Sequence, residues 1–313
     1  MTAERPPRIA RGQTLGVVAP AGPVRLDRLR DGLERLGDVF RIELAPSLTA
    51  PRDPAVASFL AASDDVRAAE LSRMIADPDV RAILLARGGY GITRILPRLD
   101  PAALRRDPKP IVGFSDATAL LAWAHAAGVR GIHGPVGVQL ATLGDGDVAQ
   151  LIALLTEARA PGVRPWPLVA HGRGTVRGPL LCGNLTMWSL LVATPWALPV
   201  AGAIGIIEDV GERPYELDRY LTQLALTGQL ARLGAMIVGD LTRCTDPNPP
   251  SGTPDPPDAA LAAVLERLRA AGTPAASGAP IGHGDRNEPV PFGAACVLDL
   301  DARTFEITEP AVA

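Results

Sequence analysis

The sequence predicts an α/β protein, with an N-terminal parallel sheet flanked by helices and a smaller C-terminal α/β unit built on a mixed sheet. Three observations predict it. Short apolar runs alternate with amphipathic stretches through the first half, the pattern of strands buried between layers of helices. An aperiodic Pro- and Gly-rich stretch, "RAPGVRPWPLVAHGRG" (159–174), interrupts the alternation, and apolar strands resume after it. Hydrophobic residues make up 47% of the 313, enough for a large core and, on length, for two domains. The predicted boundaries are an N-terminal domain at 1–160, a linker at 161–174 and a C-terminal domain at 175–313.

Each element has its own justification. "TLGVVAP" (14–20) is apolar throughout and reads as a buried strand. "LDRLRDGLERLG" (26–37) reads as a helix because Leu26, Leu29, Leu33 and Leu36 recur at helical spacing. "FRIEL" (40–44) alternates in and out as a strand, and a helix follows at 65–77. "RAILLA" (81–86) is a continuous apolar strand, followed by "RGGYG" and another helix. "PIVGF" (110–114) leads into a helix that runs to Gly128. "VRGIHGP" (129–135) is the last strand of this half, and a helix covers 147–159. The second half has a strand at 175–180, a helix after Asn184, a buried strand at 203–209 and a helix at 214–229. A buried strand at 234–240, a helix at 259–271 and two late strands, "ACVLDL" and "TFEIT", complete it. "TDPNPPSGTPDPPD" (245–258) is a Pro-rich loop. The uncharged run 187–207 is long enough to span a bilayer, but Pro195, Pro199, Gly202 and Gly205 would break a spanning helix. It reads instead as a buried helix, a turn and a buried strand.

Composition excludes several classes. The formal net charge is −3 with no block of like charges, which argues against nucleic-acid or anionic-membrane partners. Lys109 is the only lysine and sits between Pro108 and Pro110, so Schiff-base chemistry would rest on it alone. Cys182, Cys244 and Cys296 are widely spaced without a CxxC, so neither a disulfide framework nor a zinc site is expected, and a reducing compartment is. The polar start, "MTAERPPRIARG", carries no apolar secretory core, which points to the cytoplasm. The histidines are too scattered for a metal site, and neither a P-loop nor a GxGxxG fingerprint occurs. No cofactor is expected.

Parallel sheets collect function at the carboxyl ends of their strands, and four such ends carry chemistry-bearing residues. In "GFSDA", Gly113 permits a sharp turn, Ser115 sits at its apex and a helix follows, the logic of a nucleophile elbow. The match is partial (G-x-S-x-A), and Ser115 or Asp116 as an ordinary helix cap stands beside it. In "ARGGYGITR" (86–94), Gly88 and Gly89 would expose backbone N–H groups for a phosphate or an oxyanion, or make only a tight turn. Glu208 and Asp209 end the strand "AIGIIED", where a carboxylate can orient a histidine or cap a helix. His283, in "PIGHGDRNEPVPFG" (280–293), lies between glycines in a loop. The order Ser115, Glu208, His283 gives nucleophile, orienting acid and base. His133, one strand beyond the Ser115 helix, is a rival base. His125 reads as packing within a helix, His171 as a solvated residue of the linker, and Cys182 as a buried apolar residue.

Together these stretches resemble one family. "APAGP" (19–23), "ARGGYG" (86–91), "GFSDATAL" (113–120), "HGP" (133–135), "GNL" (183–185), "EDVGERPYELDRYLTQL" (208–224), "GD" (239–240) with Cys244, and "GHGDRN" (282–287) resemble the LD-carboxypeptidases in their order. These are the muramoyltetrapeptide carboxypeptidase group of serine peptidases, which includes microcin C immunity peptidases. The resemblance implies Ser115 as nucleophile, His283 as base, Glu208 as its orienting acid, and the backbone N–H groups of Gly89 and Asp116 as the oxyanion hole. Gly88, Arg87 and Asn184 are the expected substrate contacts. Arg87, Arg177, Arg213 and Arg286 are candidates to bind the substrate's free carboxylate. It further implies two α/β domains with the active site between them, a homodimer, and removal of a terminal D-alanine from murein tetrapeptides in cytoplasmic cell-wall recycling. Phe114 stands where the family usually has tyrosine, and "NEPVPFG" replaces a more apolar turn; both bear on substrate preference. A microcin-C-type peptidyl-nucleotide hydrolase, a non-catalytic peptidoglycan-fragment binder and a nucleotide-dependent oxidoreductase are the alternatives.

Overall fold

In a computed structural model, which describes residues 3–249 and 252–313, "TLGVV" forms strand β1 (Thr14–Val18), buried at every position. The apolar runs that follow form β2 (Arg41–Leu44), β3 (Val80–Leu85), β4 (Ile111–Gly113) and β5 (Ile132–His133). These five are parallel, in the order β2-β1-β3-β4-β5, and the short strand Val290–Pro291 pairs antiparallel to β5 at the far edge. The parallel order reverses at β1, and Ser115 and Gly88 follow strands on one side of that switch point.

The helix Leu26–Gly37 buries Leu29, Gly32, Leu33 and Leu36, whereas Leu26 is 51% exposed and lies off the apolar stripe. The helix Asp64–Ala76 starts at Ser63, whose hydroxyl accepts the Val66 N–H. The helix expected after "RGGYG" is a single turn, Ile92–Ile95, continued by a 3-10 turn and the helix Pro101–Arg106. The helices Thr118–Ala126 and Asp145–Thr156 complete the helical elements that the sequence predicts in this half.

The second sheet has eight strands. In chain order they are β6 (Gly162–Arg164), β7 (Val169–His171), β8 (Thr175–Asn184), β9 (Ile204–Val210), β10 (Ala235–Thr242) and β11 (Ala275–Ser277), then β13 (Ala295–Asp299) and β14 (Thr304–Ile307). Val290–Pro291 is β12. The spatial order is β6-β14-β13-β8-β9-β10-β11-β7. The run β8-β9-β10-β11 is parallel, and β7, β13, β14 and β6 add antiparallel pairings, so the sheet is mixed as predicted. β8 is long enough to serve both neighbours: its first half pairs with β13 and its second half with β9.

The chain divides into two units, one comprising Met1–Ala160, Glu288–Gly293 and Pro310–Ala313, the other Pro161–Asn287 and Ala294–Glu309. Two expectations are corrected. The stretch 161–174, read as a linker, supplies the edge strands β6 and β7; each is three residues long and half exposed, so it leaves no apolar run to find. The C-terminal part is also discontinuous, because β12 and the last four residues belong to the first unit. There the Ala313 N–H donates to Pro6 O at 2.9 Å, and Arg130 Nη1 to Pro310 O at 2.8 Å. The uncharged run 187–207 forms no spanning helix: the helix Leu185–Leu190 ends early in it and β9 begins at Ile204. No helix among the described residues is long and apolar enough to cross a membrane. Of the Pro-rich run 245–258, Pro250 and Ser251 lie outside the described residues.

Candidate active site

β4 ends at Gly113, Phe114 is still extended, and Ser115 then turns into the left-handed region with φ of 62°. A side chain with a Cβ rarely adopts that conformation, which costs of order 1–3 kcal/mol and persists only when its surroundings enforce it. The turn leaves Ser115 partly exposed beside the loop that follows β3. A Cβ built on Gly88 would lie 2.9 Å from Ser115 Cβ and 3.1 Å from its Oγ, so only glycine lets the two backbones approach this closely. Gly89 follows with φ of 113°.

The helix Thr118–Ala126 begins after Ala117, with no side-chain cap, so neither Ser115 nor Asp116 caps it. Asp116 Oδ2 instead accepts the Ile92 N–H at 2.9 Å, at the start of the neighbouring turn Ile92–Ile95. This corrects the expectation that the Asp116 side chain is free to cap its own helix. Burial pushes the Asp116 carboxyl up to about 6, against the opposing pull of the Ile92 bond and of the Arg67 charge.

In the second unit, β9 carries Glu208, fully buried, with its backbone in register with Asn184 of β8. Glu208 Oε2 lies 2.6 Å from His283 Nδ1. The His283 loop is pinned on both sides, by Asp240 N–H to Ile281 O at 2.8 Å and by Gly282 N–H to Asn287 Oδ1 at 3.2 Å. Burial alone would lower the His283 pKa; the hydrogen bond and charge of Glu208, with Asp209 and Asp240, outweigh it and leave the imidazole above its ordinary value. Burial raises Glu208 as well, with His283 only partly offsetting it, so the pair keeps its shared proton to higher pH. A buried carboxylate at Nδ1 fixes the orientation of the imidazole, a geometry that suits a general base.

Residues 15–134 match the model of the LD-carboxypeptidase N-terminal domain, and residues 177–298 that of its C-terminal domain. A Streptomyces coelicolor protein that carries a carboxypeptidase name is 35% identical over 98% of this chain and 97% of its own. The chain belongs to the LD-carboxypeptidase family. The murein tetrapeptide carboxypeptidase of Pseudomonas aeruginosa is 34% identical over 77% of this chain and 80% of its own. Among solved structures, muramoyltetrapeptide carboxypeptidase from Oxalobacter formigenes superposes with a TM-score of 0.80 at 26% identity, covering 95% of this chain and all of its own. The microcin C7 self-immunity protein MccF superposes at 0.85 and 23% identity, over 99% of both chains, a likeness of fold. The fold class read from the sequence is thus that of the family.

Within this LD-carboxypeptidase family fold, several other candidates are occupied elsewhere. Arg87 Nη1 donates to Pro23 O at 2.6 Å and the residue is exposed. Arg213 pairs with Glu216 at 2.6 Å and lies over the Tyr215 ring. Arg177 and Arg286 are exposed. Asn184 Oδ1 accepts the Met187 N–H and its amide donates to Asp209 Oδ1 at 2.9 Å, so both ends of that side chain serve the unit itself. Lys109 is fully buried and donates to the carbonyls of Met74, Ile75 and Asp77, closing the end of the helix Asp64–Ala76, which removes it as a Schiff-base candidate. His171 lies in the edge strand β7 rather than in a linker; it is exposed, as expected, and bonds Ser277 Oγ at 2.9 Å. His133 is fully buried, and His125 packs edge-on against Phe292. All three cysteines are buried and their thiols pushed up by it, Cys244 to about 12, so none is an activated nucleophile. Among the described residues no cluster of three or more potential ligands is placed to hold a metal ion.

Sequence reading missed Arg67, a fully buried arginine beside the Gly88–Gly91 turn, and quoted Asp240 only within the "GD" match, without its place facing the His283 loop. Nothing in the local pattern of Arg67 marks it, because the Pro20 and Gly91 carbonyls that it holds lie far from it in the chain.

Proposed function

We propose that this protein is a serine-type LD-carboxypeptidase that hydrolyses the bond between the L-centre of meso-diaminopimelate and the terminal D-alanine of murein tetrapeptides. One observation carries the reading: Ser115 is held at positive φ at the end of a buried strand, with Gly88 packed against its hydroxyl. A cap needs no such strain, whereas a nucleophile at a tight turn does. The buried Glu208–His283 pair, the family membership and the murein substrate in the name of the Pseudomonas relative support the same conclusion.

In this mechanism Ser115 Oγ attacks the scissile carbonyl while His283 takes its proton, and Glu208 holds the imidazole tautomer and stabilises the imidazolium. The N–H groups of Gly89 and Asp116 meet the oxyanion, each such donor being worth roughly 10²–10³ in rate. Collapse of the tetrahedral intermediate expels D-alanine, whose amine takes the proton from His283. Water then attacks the acyl-serine with His283 again as base, releasing the tripeptide. Gly88 lines the substrate in this reading and an arginine receives its free carboxylate, while Arg87 and Asn184 would reach the substrate only by giving up their bonds to Pro23 and to Asp209 and Met187. The enzyme acts as a homodimer in the cytoplasm, a location that the three free buried thiols support.

The test is incubation with L-Ala-D-Glu-meso-diaminopimelate-D-Ala, read by mass spectrometry. One D-alanine is lost, and a control peptide ending in L-alanine stays intact. A tetrapeptide left whole, with cleavage of an acyl-sulfamoyl nucleoside instead, would move the activity to the peptidyl-nucleotide class. No cleavage of either would leave a binding protein.

A further inference from the structure

The peptide unit Gly91–Ile92 is gripped at both ends. Its N–H donates to Asp116 Oδ2 at 2.9 Å, and its carbonyl accepts from Arg67 Nη1 at 2.9 Å. Because a peptide unit is planar, two such contacts fix the orientation of the whole plane. Arg67 is fully buried and also donates to Pro20 O, just beyond β1, to Ala62 O and to Asp64. One guanidinium therefore ties the end of β1, the turn after β3 and the start of the helix Asp64–Ala76. Position 91 is glycine for the same reason: φ is 126°, and a Cβ there would stand 2.9 Å from Arg67 Nη1.

Asp116 is 2% exposed, and its second oxygen, Oδ1, has no hydrogen-bond partner. A buried carboxylate with one hydrogen bond is an expensive feature for a fold to retain, and stability alone does not explain it. Its position does. The backbone N–H of Asp116 is one proposed oxyanion donor, and its side chain holds the turn that carries the other, Gly89.

We propose that Asp116 and Arg67 are positioning residues that clamp the Gly91–Ile92 peptide and so set the Gly89 N–H relative to the Asp116 N–H. The inference rests on the serine-peptidase reading above. An oxyanion forms only on the way to the transition state, so a loosened clamp lowers kcat and leaves KM nearly unchanged.

The experiment compares wild type with Asp116→Ala and Asp116→Leu, which remove the acceptor, and Asp116→Asn, which keeps one. Two acceptor-less variants are made so that whichever melts cooperatively can be used. Each is assayed on the tetrapeptide and by amide hydrogen exchange of the segment 87–95. The acceptor-less variant should lose about 10- to 100-fold in kcat with KM within about threefold, and exchange in the segment should speed by about tenfold or more. Asp116→Asn should recover both protection and most of kcat. Wild-type kcat in the acceptor-less variant, unchanged exchange, a loss confined to KM, or an Asp116→Asn variant as poor as the others would each overturn the clamp. If wild type cleaves nothing, the serine-peptidase reading fails, while hydrogen exchange still decides whether Asp116 holds the turn.

Discussion

Ser115 and His283 are ordinary residues placed in uncommon surroundings. The serine is made available by a backbone conformation that costs energy, and the histidine is made a stronger base by carboxylates. Charge on the imidazole has a measurable consequence. A general base must be neutral to act, and the His283 pKa lies above its ordinary 6.5, so kcat/KM should rise with pH through an inflection above 6.5. Glu208→Gln removes the charge that raises it, so the inflection should move down while the maximal rate falls. An inflection at or below 6.5 in wild type, or an upward move in Glu208→Gln, would contradict this. The sign for stability is consistent: what His283 gains from its carboxylates is present below about 6.5 and is lost as pH rises through the raised folded value. At this scale the sequence was partly legible. Ser115, Glu208 and His283 stood out as residue types at strand ends and in a glycine-flanked loop. Arg67 and the Asp116 carboxylate did not, because charged residues read as solvated until a distant partner buries them, and Ile92 lies 24 residues from Asp116.

Elements were legible where periodicity is strong. Leu29, Leu33 and Leu36 mark the face that the helix Leu26–Gly37 buries, and the apolar runs of β1, β3, β9 and β10 are found where they were read. β6 and β7 were not legible, since a three-residue edge strand with half its side chains in solvent looks like a loop. Lys109 shows the same limit. It lies beside β4 and satisfies the terminal carbonyls of the helix Asp64–Ala76, with Asp107 at 3.0 Å as its counter-ion. Burial works against the Asp107 charge, yet Lys109 and Arg81 outweigh it and hold that carboxyl below its ordinary value. Lys109→Met keeps most of the side-chain volume but leaves these carbonyls short of a donor and one counter-ion of Asp107 missing. The expected cost is about 3 kcal/mol by urea unfolding. A change under about 0.5 kcal/mol, the range of ordinary surface substitutions, would show that the ammonium is not needed there.

For the whole molecule, the chain is threaded so that neither unit is continuous. β12 and the last four residues close the first unit, and Ala311 and Val312 are buried there. Sequence reading placed one boundary and one linker because it follows the chain in order, and a returning two-residue strand carries no signal of where it returns. The proposed groups follow the same division, with Ser115, Gly89 and Asp116 on one unit and Glu208 and His283 on the other. The central claim is that the intact enzyme works through Ser115. The most direct measurement is kcat/KM of Ser115→Ala on the murein tetrapeptide, beside a melting curve to show that the variant is folded. The account predicts a fall of at least about 10³-fold with melting essentially unchanged. A folded Ser115→Ala protein that retains activity within about tenfold of wild type would contradict it.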